Sequence, residues 1–385
     1  MKITIVASSF LPEQGRLERR VDQLARGLVR RGAGVEVLTQ GPMQTTVEEP
    51  EGVTVRRFGT TLGPVRFALA PRLWERLRTI SAESDIVDVH TRHPSLALAV
   101  ARTGAPRLVV TPAPGIDGLT AWPDARRMRS VINAASLIVC HSEIQRDVLC
   151  RAAPRVANRV EVVPDGLDSA ALTAASPLQA SGRIVLTVDR LEATTSVGRV
   201  IAAMPSLDPS FRLVIIGDGP ARDRLIAHAA DLQVASRVEF VGAVGDELLH
   251  RWLRTAEVVV TLPVERGSGS QVMEARAAGA SVVASNLPIN RWAAARVGTG
   301  HVIFVAPKGS PLDVADAIEQ AARLAVPSTV GVRSASVPSW ESVIDSTWTL
   351  YRELIAGRRR SPREDDAAEL VSIGAYAERV NGGGH

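Results

Sequence analysis

Lysine is nearly absent from this chain. Of 45 basic residues only Lys2 and Lys308 are lysines, which reads as a coding preference for arginine and narrows the ways a phosphate can be gripped. Cysteine is as scarce: Cys140 and Cys150 alone exclude a disulfide framework. No apolar run approaches the ~20 residues of a membrane span, and no signal-peptide pattern precedes the first strand, so a cytoplasmic protein is expected. The net charge of +4 is small for 385 residues, and the arginines are scattered instead of gathered on one stripe. Nucleic acid is therefore not an expected partner.

What is present is an alternation of strand and helix signals. With 45% hydrophobic and 22% charged residues, the chain is long enough for two cores, since single domains stop growing at about 250 to 300 residues. "KITIVAS" (residues 2–8), "VEVLTQ", "VTVRRF", "DIVDVH" and "RLVVTP" are short buried-strand runs in the first half, and "LERRVDQLARGLVRRG" (17–32) has helical apolar spacing closed by glycine. A second series runs through "RIVLTVDR" (183–190), "FRLVIIGDGP", "RVEFVGAV", "AEVVVTLPV" and "ASVVAS". Each set predicts an α/β fold of βαβ units on a parallel sheet covered on both faces. The stretch "VVPDGLDSAALTAASPLQASG" (162–182), rich in Pro, Gly, Ser and Ala, is expected to link them. The expected division is 1–166, 167–345, a helix over 346–357 returning to the first domain, and a charged, glycine-ended tail over 358–385 that is expected to be mobile.

In open parallel sheets, ligands sit beyond the carboxyl ends of the strands. The segment "PVERGSGSQVMEARAAGASVVAS" (263–285) follows such an end directly. Gly267 and Gly269 permit close backbone approach, and a helix beginning near Ser270 or Gln271 would present N–H groups and a positive dipole end to a phosphate. Glu274, one turn in, suits two adjacent ribose hydroxyls. A glycine-rich loop with a surface glutamate is the competing reading of the same residues.

In their order these pieces resemble the retaining glycosyltransferases of family 4, which have the GT-B fold. The resemblance runs from "ITIVASSFLPEQGRLERRVDQLARGLVRRG" through "VEVVPDGLD", "LTVDRLEATTSVGRVIAAM", "LVIIGDGP", "VEFVGAV" and "EARAAGASVVAS" to "SWESVIDSTWTLYREL". It implies two Rossmann-like domains facing each other across a closing cleft, with a nucleotide-diphosphate sugar held mainly by the second and a small-molecule acceptor mainly by the first. It also implies no metal, no separate cofactor and no membrane span, and leaves a homodimer open. Position by position, Glu274 matches the ribose-binding glutamate and Arg190 the arginine that neutralises the diphosphate. Gly217 and Gly219 line the donor side, and the segment ending at Val244 corresponds to the part that reads the base.

Four positions depart from that pattern. Where the first glutamate of the paired-glutamate motif should stand, this chain has Arg266, with Glu265 beside it. The lysine expected after Arg190 is Thr195, the histidine expected after "RLVVTP" is Ala113, and the glycine pair of the first loop is Gly15 followed by Arg16. A departing diphosphate needs cationic or N–H stabilisation, with such donors commonly worth about 3 to 4 kcal/mol each. Arg16 and Arg266 are the candidates to rebuild the clamp, because a guanidinium grips phosphate bidentately. Arg266 paired with Glu265 or Glu274 on the surface, or meeting an unusual donor sugar, are the alternatives. Ala113 leaves acceptor chemistry open between a hydroxyl, which benefits from a base, and a thiol, which needs less help. His90 and His93 are the alternative bases, while Asp117 and Asp124 read as turn carboxylates. The resulting expectation is a sugar transferase, as in bacterial natural-product or antibiotic pathways. The alternative is a degenerate relative that keeps the fold to bind a ligand or partner. The stereochemical outcome is open.

Overall fold

The computed structural model describes residues 1–13, 15–41, 46–48, 50–59, 71–91, 94–105, 107–112, 125–264, 268–325 and 337–357. It forms two compact units, Met1–Gly166 with the segment from Trp340 onward, and Leu167–Ser339. The returning helix thus begins earlier than the expected residue 346, and the expected tail over 358–385 lies outside the described residues.

Unit 1 is built on an eight-stranded sheet. Its strands are β1 (Lys2–Ala7), β2 (Gly34–Gln40), β3 (Thr46–Glu48), β4 (Val53–Phe58), β5 (Ile86–Thr91), β6 (Leu108–Pro112), β7 (Ala135–Cys140) and β8 (Val160–Val162), in the spatial order β3-β4-β2-β1-β5-β6-β7-β8. All pairings are parallel except β3 with β4. The helices are α1 (Arg16–Arg30), α2 (Pro71–Glu83), α3 (Pro94–Ala101), α4 (Ala125–Ala134) and α5 (Glu143–Ala152). Parallel strands need crossovers, and these cover both faces, which is why β1 and β5 are buried along nearly their whole length, β5 including its Asp88, His90 and Thr91. Val21, Leu24, Ala25 and Leu28 of α1 pack with Ile3 and Ile5 on one face, while Leu73, Leu77 and Ile80 of α2 pack with Val6 and Val87 on the other.

Unit 2 has six strands, all parallel: β9 (Arg183–Val188), β10 (Phe211–Ile216), β11 (Val238–Gly242), β12 (Val258–Thr261), β13 (Ser281–Ser285) and β14 (Val302–Val305), in the order β11-β10-β9-β12-β13-β14. Its helices are α6 (Ser169–Ala174), α7 (Val197–Ala203), α8 (Arg222–Asp231), α9 (Asp246–Thr255), α10 (Ser270–Ala277), α11 (Pro288–Val297) and α12 (Pro311–Arg323). The Pro/Ser/Ala-rich stretch expected to link the units holds their boundary, at Gly166/Leu167, and also carries a short helix. Asp168 accepts the Ala171 amide at 2.9 Å and so starts α6, and Leu172 is completely buried in the core of this unit. The low complexity hid a cap and a regularly placed leucine.

The last helix, α13 (Trp340–Ile355), packs on unit 1. Arg31 of α1 reaches Asp345 and Glu341; Ile344 occupies the space a side chain at Gly27 would need. Deeper in, the Tyr351 hydroxyl donates to the buried carboxylate of Asp88 on β5. The same carboxylate receives Thr111 Oγ1 at 3.1 Å and His90 Nε2 at 2.9 Å. Burial alone would push the Asp88 carboxyl up; His90 and the donated hydrogen bonds outweigh it, so its pKa lies below the usual range. Burial, with Asp88 beside it, holds the Tyr351 phenol well above its ordinary value.

A group whose folded pKa is depressed stabilises the fold above its unfolded value, about 3.9 for Asp, and loses that contribution as pH falls through the folded value. Tyr351→Phe removes one donor. We expect it to destabilise unit 1 by about 1.5 to 3 kcal/mol and to raise the folded pKa of Asp88, moving acid unfolding to higher pH. Amide hydrogen exchange should quicken in β5 and α13 and stay unchanged in β9.

Candidate functional site

The carboxyl edge of the unit 2 sheet is stitched together by backbone bonds. The Asp189 amide donates to Ile216 O at 3.0 Å, the Leu191 amide to Asp218 O at 3.1 Å, and the Gly217 amide to Gly242 O at 2.8 Å. The ends of β9, β10 and β11 are therefore held as one ledge. Gly217 (φ 131) and Gly219 (φ 155) allow this contact. A Cβ at Gly217 would stand 1.8 Å from the Asp189 carbonyl oxygen, and one at Gly219 would stand 2.6 Å from that of Leu191. Both residues are required by space as well as by backbone angle. Between those two carbonyls sits Arg190, whose exposed guanidinium pairs with Glu192 at 2.8 Å. Such a pair is worth little and gives way easily to a phosphate.

Thr195, at the place where the resemblance expects lysine, donates its hydroxyl to Asp189 Oδ2 at 2.7 Å and accepts the Val197 amide at 3.3 Å. It starts α7 and holds a carboxylate; it brings no charge.

The helix expected near Ser270 or Gln271 is α10, and Gly269 caps its start with φ 71. A Cβ on Gly269 would meet Ala293 Cβ at 2.8 Å and Ile289 O at 2.9 Å, so α11 packs against this turn. Ser270 is buried and its hydroxyl pairs with Ser268 Oγ at 2.6 Å. The Gln271 side chain is committed to the protein: its Oε1 accepts Thr261 Oγ1 at 2.6 Å and its Nε2 donates to Val188 O at 2.5 Å. It binds the start of α10 to the ends of β9 and β12. With these side chains engaged within the protein, what Ser270 and Gln271 offer a phosphate is the backbone at the helix start. Glu274 follows one turn later, half-buried. Val244, half-buried after β11, packs on the unit 2 core. Glu265, Arg266 and Gly267 lie outside the described residues.

In unit 1, Gly15 is the extended residue before α1 and Arg16 its first residue. His90 is 1% exposed and its Nε2 stands 2.9 Å from Asp88 on the same strand; because Asp88 is ionised, the proton sits on Nε2, and Nδ1 is buried with no hydrogen-bond partner among the described residues. It is a structural histidine and not the base expected from its place at a strand end. His93, with Ala113, Asp117 and Asp124, lies outside the described residues.

Sequence reasoning missed His141. It follows β7, a strand that also escaped notice because α4 abuts it at Ala134/Ala135 with no turn residue between. His141 Nε2 stands 3.0 Å from Pro112 O and Nδ1 3.1 Å from Asp165 Oδ1. Both neighbours are acceptors, so a neutral ring donates to only one. Arg20 also holds Asp165, at 2.7 Å, and the Val163 and Pro164 carbonyls. Burial, reinforced by Arg20, lowers the His141 pKa; His141 and Arg20 overcome the burial of Asp165 and hold its carboxyl well below the usual range. "CHSE" at the end of an apolar run is the signal that would have found it.

The ledge around Arg190 is testable through its glycines. Gly217 and Gly242 both have positive φ, but nothing lies within 4 Å of a Cβ built on Gly242. We expect Gly217→Ala to cost at least about 2 kcal/mol more than Gly242→Ala, the added cost of displacing backbone. Differential scanning calorimetry of the two variants measures it.

Comparison with known proteins agrees with this geometry. The family model described as Glycosyltransferase Family 4 matches residues 17–171, and that described as Glycosyl transferases group 1 matches residues 169–325. The glycogen synthase of Mycobacterium tuberculosis is 27% identical over 94% of this chain and 96% of its own length. A D-inositol 3-phosphate glycosyltransferase from Acidothermus cellulolyticus is 26% identical, with 93% and 90% covered. Among solved structures, sucrose-phosphate synthase from Thermosynechococcus elongatus superposes with a TM-score of 0.72 at 19% identity, covering 92% of this chain and 99% of that one. Anabaena HepE, solved with UDP and glucose, gives 0.71 at 18% identity, covering 91% and 99%. With two family models meeting end to end over its two Rossmann-like units, the chain belongs to glycosyltransferase family 4 and has the GT-B fold.

Proposed function

We propose that unit 2 binds a nucleotide-diphosphate sugar and that the enzyme transfers the sugar to the hydroxyl or thiol of a small-molecule acceptor held by unit 1, without a metal. The observation that carries this reading is the meeting of two features at one sheet edge. The start of α10, opened by Gly269, is tied through Gln271 to the same Val188 that leads into Asp189 and Arg190. A phosphate at the helix start finds N–H groups and a dipole, with the weakly engaged guanidinium of Arg190 on the adjoining loop. In this reading Glu274, one turn on, accepts the two ribose hydroxyls.

In the transfer, the bond between the anomeric carbon and the phosphate oxygen breaks, and the acceptor oxygen or sulfur bonds to that carbon. The acceptor proton passes to a base or to the departing diphosphate. The negative charge that develops on the diphosphate is what Arg190 and the α10 start stabilise. Natural-product assembly is the setting we assign, on the ground that Thr195 and Ala113 depart from the pattern while Arg190, Gly217, Gly219 and Glu274 keep it. Anabaena HepE, whose solved complexes contain UDP, supports a nucleotide donor by likeness of fold.

A thermal-shift panel of uridine, adenosine and guanosine diphosphates tests the reading: ligand at a hundred times its Kd stabilises the bound unit by about 2.7 kcal/mol. Glu274→Ala should weaken the nucleotide that binds by about ten- to hundredfold, the loss of a charged hydrogen-bond acceptor, with an unchanged melt of the free protein. Unchanged affinity in calorimetry would remove Glu274 from the site.

A further inference from the structure

The ledge after β9 and β10 holds two of its anion-binding groups with carboxylates of its own. Arg190 donates from Nε to Glu192 Oε1 at 2.8 Å, and among the described residues both of its Nη atoms stand without a hydrogen-bond partner. The Gly219 amide donates to the Asp218 carboxylate at 2.8 Å. Both contacts are exposed, and both belong to one stitched piece of backbone, because the Leu191 amide donates to Asp218 O at 3.1 Å.

Glu192 is kept near Arg190 by the turn it stands in. Its amide donates to Arg190 O at 2.7 Å, and its carbonyl accepts the Thr195 amide at 3.1 Å. The next carbonyl, Ala193 O, accepts Arg224 Nη2 at 3.1 Å. A carboxylate two residues from the guanidinium, on a turn pinned in this way, stays close when the pair opens and competes for Arg190 as an intramolecular partner. The side chains are 61% exposed at Arg190 and 48% at Glu192, so opening the pair costs no more than an exposed ion pair contributes. A diphosphate carries more charge than one carboxylate and can take the open Nη fork bidentately, so it prevails while it is bound.

We propose that Glu192 is a release residue: it holds Arg190 in the empty site, yields it to the diphosphate, and reclaims it as the diphosphate leaves, so that the diphosphate binds less tightly and stays for a shorter time. Asp218 on the Gly219 amide is the main-chain counterpart of the same arrangement. The proposal rests on the donor reading above and assigns a residue to its last step. The nucleotide diphosphate is a product of the transfer and has to vacate this edge before the next donor can bind. An edge of cation and N–H groups alone would retain it longer.

The experiment is calorimetry and stopped-flow dissociation on the full chain with uridine, adenosine and guanosine diphosphates and the matching nucleosides. If no diphosphate binds the unaltered protein, the donor reading fails and the proposal with it. For the base that binds, Glu192→Gln and Glu192→Ala should each tighten the diphosphate by about two- to fivefold, the range of one exposed ion pair. Most of that gain should be slower dissociation, with nucleoside affinity unchanged. In protein that already carries Arg190→Ala, neither substitution should change diphosphate affinity, because the competitor has lost what it competes for. Unchanged or weaker diphosphate binding in the Glu192 variants, an equal gain for the nucleoside, or a gain that persists in full with Arg190→Ala would overturn the proposal and leave the donor reading standing.

Discussion

The close approach of the β10–α8 turn to the main chain after β9 is the constraint on which the donor edge of unit 2 depends. The carbonyl oxygens of Asp189 and Leu191 lie where side chains at 217 and 219 would otherwise be. That approach lets three strand ends share hydrogen bonds and fixes the backbone on either side of Arg190. Gln271 then carries the same ledge across to β12 and α10. Interiors packed at this density leave no slack for an added methyl, so the position of Arg190 is set by backbone contacts and the guanidinium itself is left unburied.

The two units use their charges differently. In unit 1 the polar groups near the strand ends are buried and satisfied from within: Asp88 by Tyr351, His90 and Thr111, and Asp165 by Arg20 and His141. Removing a partner there leaves a buried charge exposed to its full desolvation cost. In unit 2 the pair Arg190–Glu192 is more than half exposed at the arginine, and little is lost when a ligand replaces the glutamate. Fixed architecture and exchangeable charge are thus separated within one chain, although arginine serves both.

Much of the fold was legible because β1, β9, β10, β12 and β13 are largely apolar runs bounded by turns, and because α1 and α13 carry helical apolar spacing. What escaped were elements whose local signal is weak. β3, β8 and β14 are too short to show a period, β7 has no punctuation before it, and α6 is concealed by alanine and serine. On the donor side the glycines and the start of α10 could be read from order alone. Long-range partners could not: Asp88 meets a tyrosine 263 positions away, and His141 meets Asp165 across 24. Two histidines at strand ends look alike in sequence. His90 and His141 differ only in what the fold brings to them.

The hydroxyl that Tyr351 gives to Asp88 also sets an order of assembly. Unit 2 is a contiguous stretch, Leu167–Ser339, whereas unit 1 is split around it. During synthesis the first sheet emerges early, with the Asp88 carboxylate awaiting a donor and the α1 face of its core awaiting Ile344 and Tyr351. Those residues leave the ribosome after all of unit 2. The later unit can therefore finish folding before the earlier one does, and the nascent first half carries an open apolar face until α13 has been made.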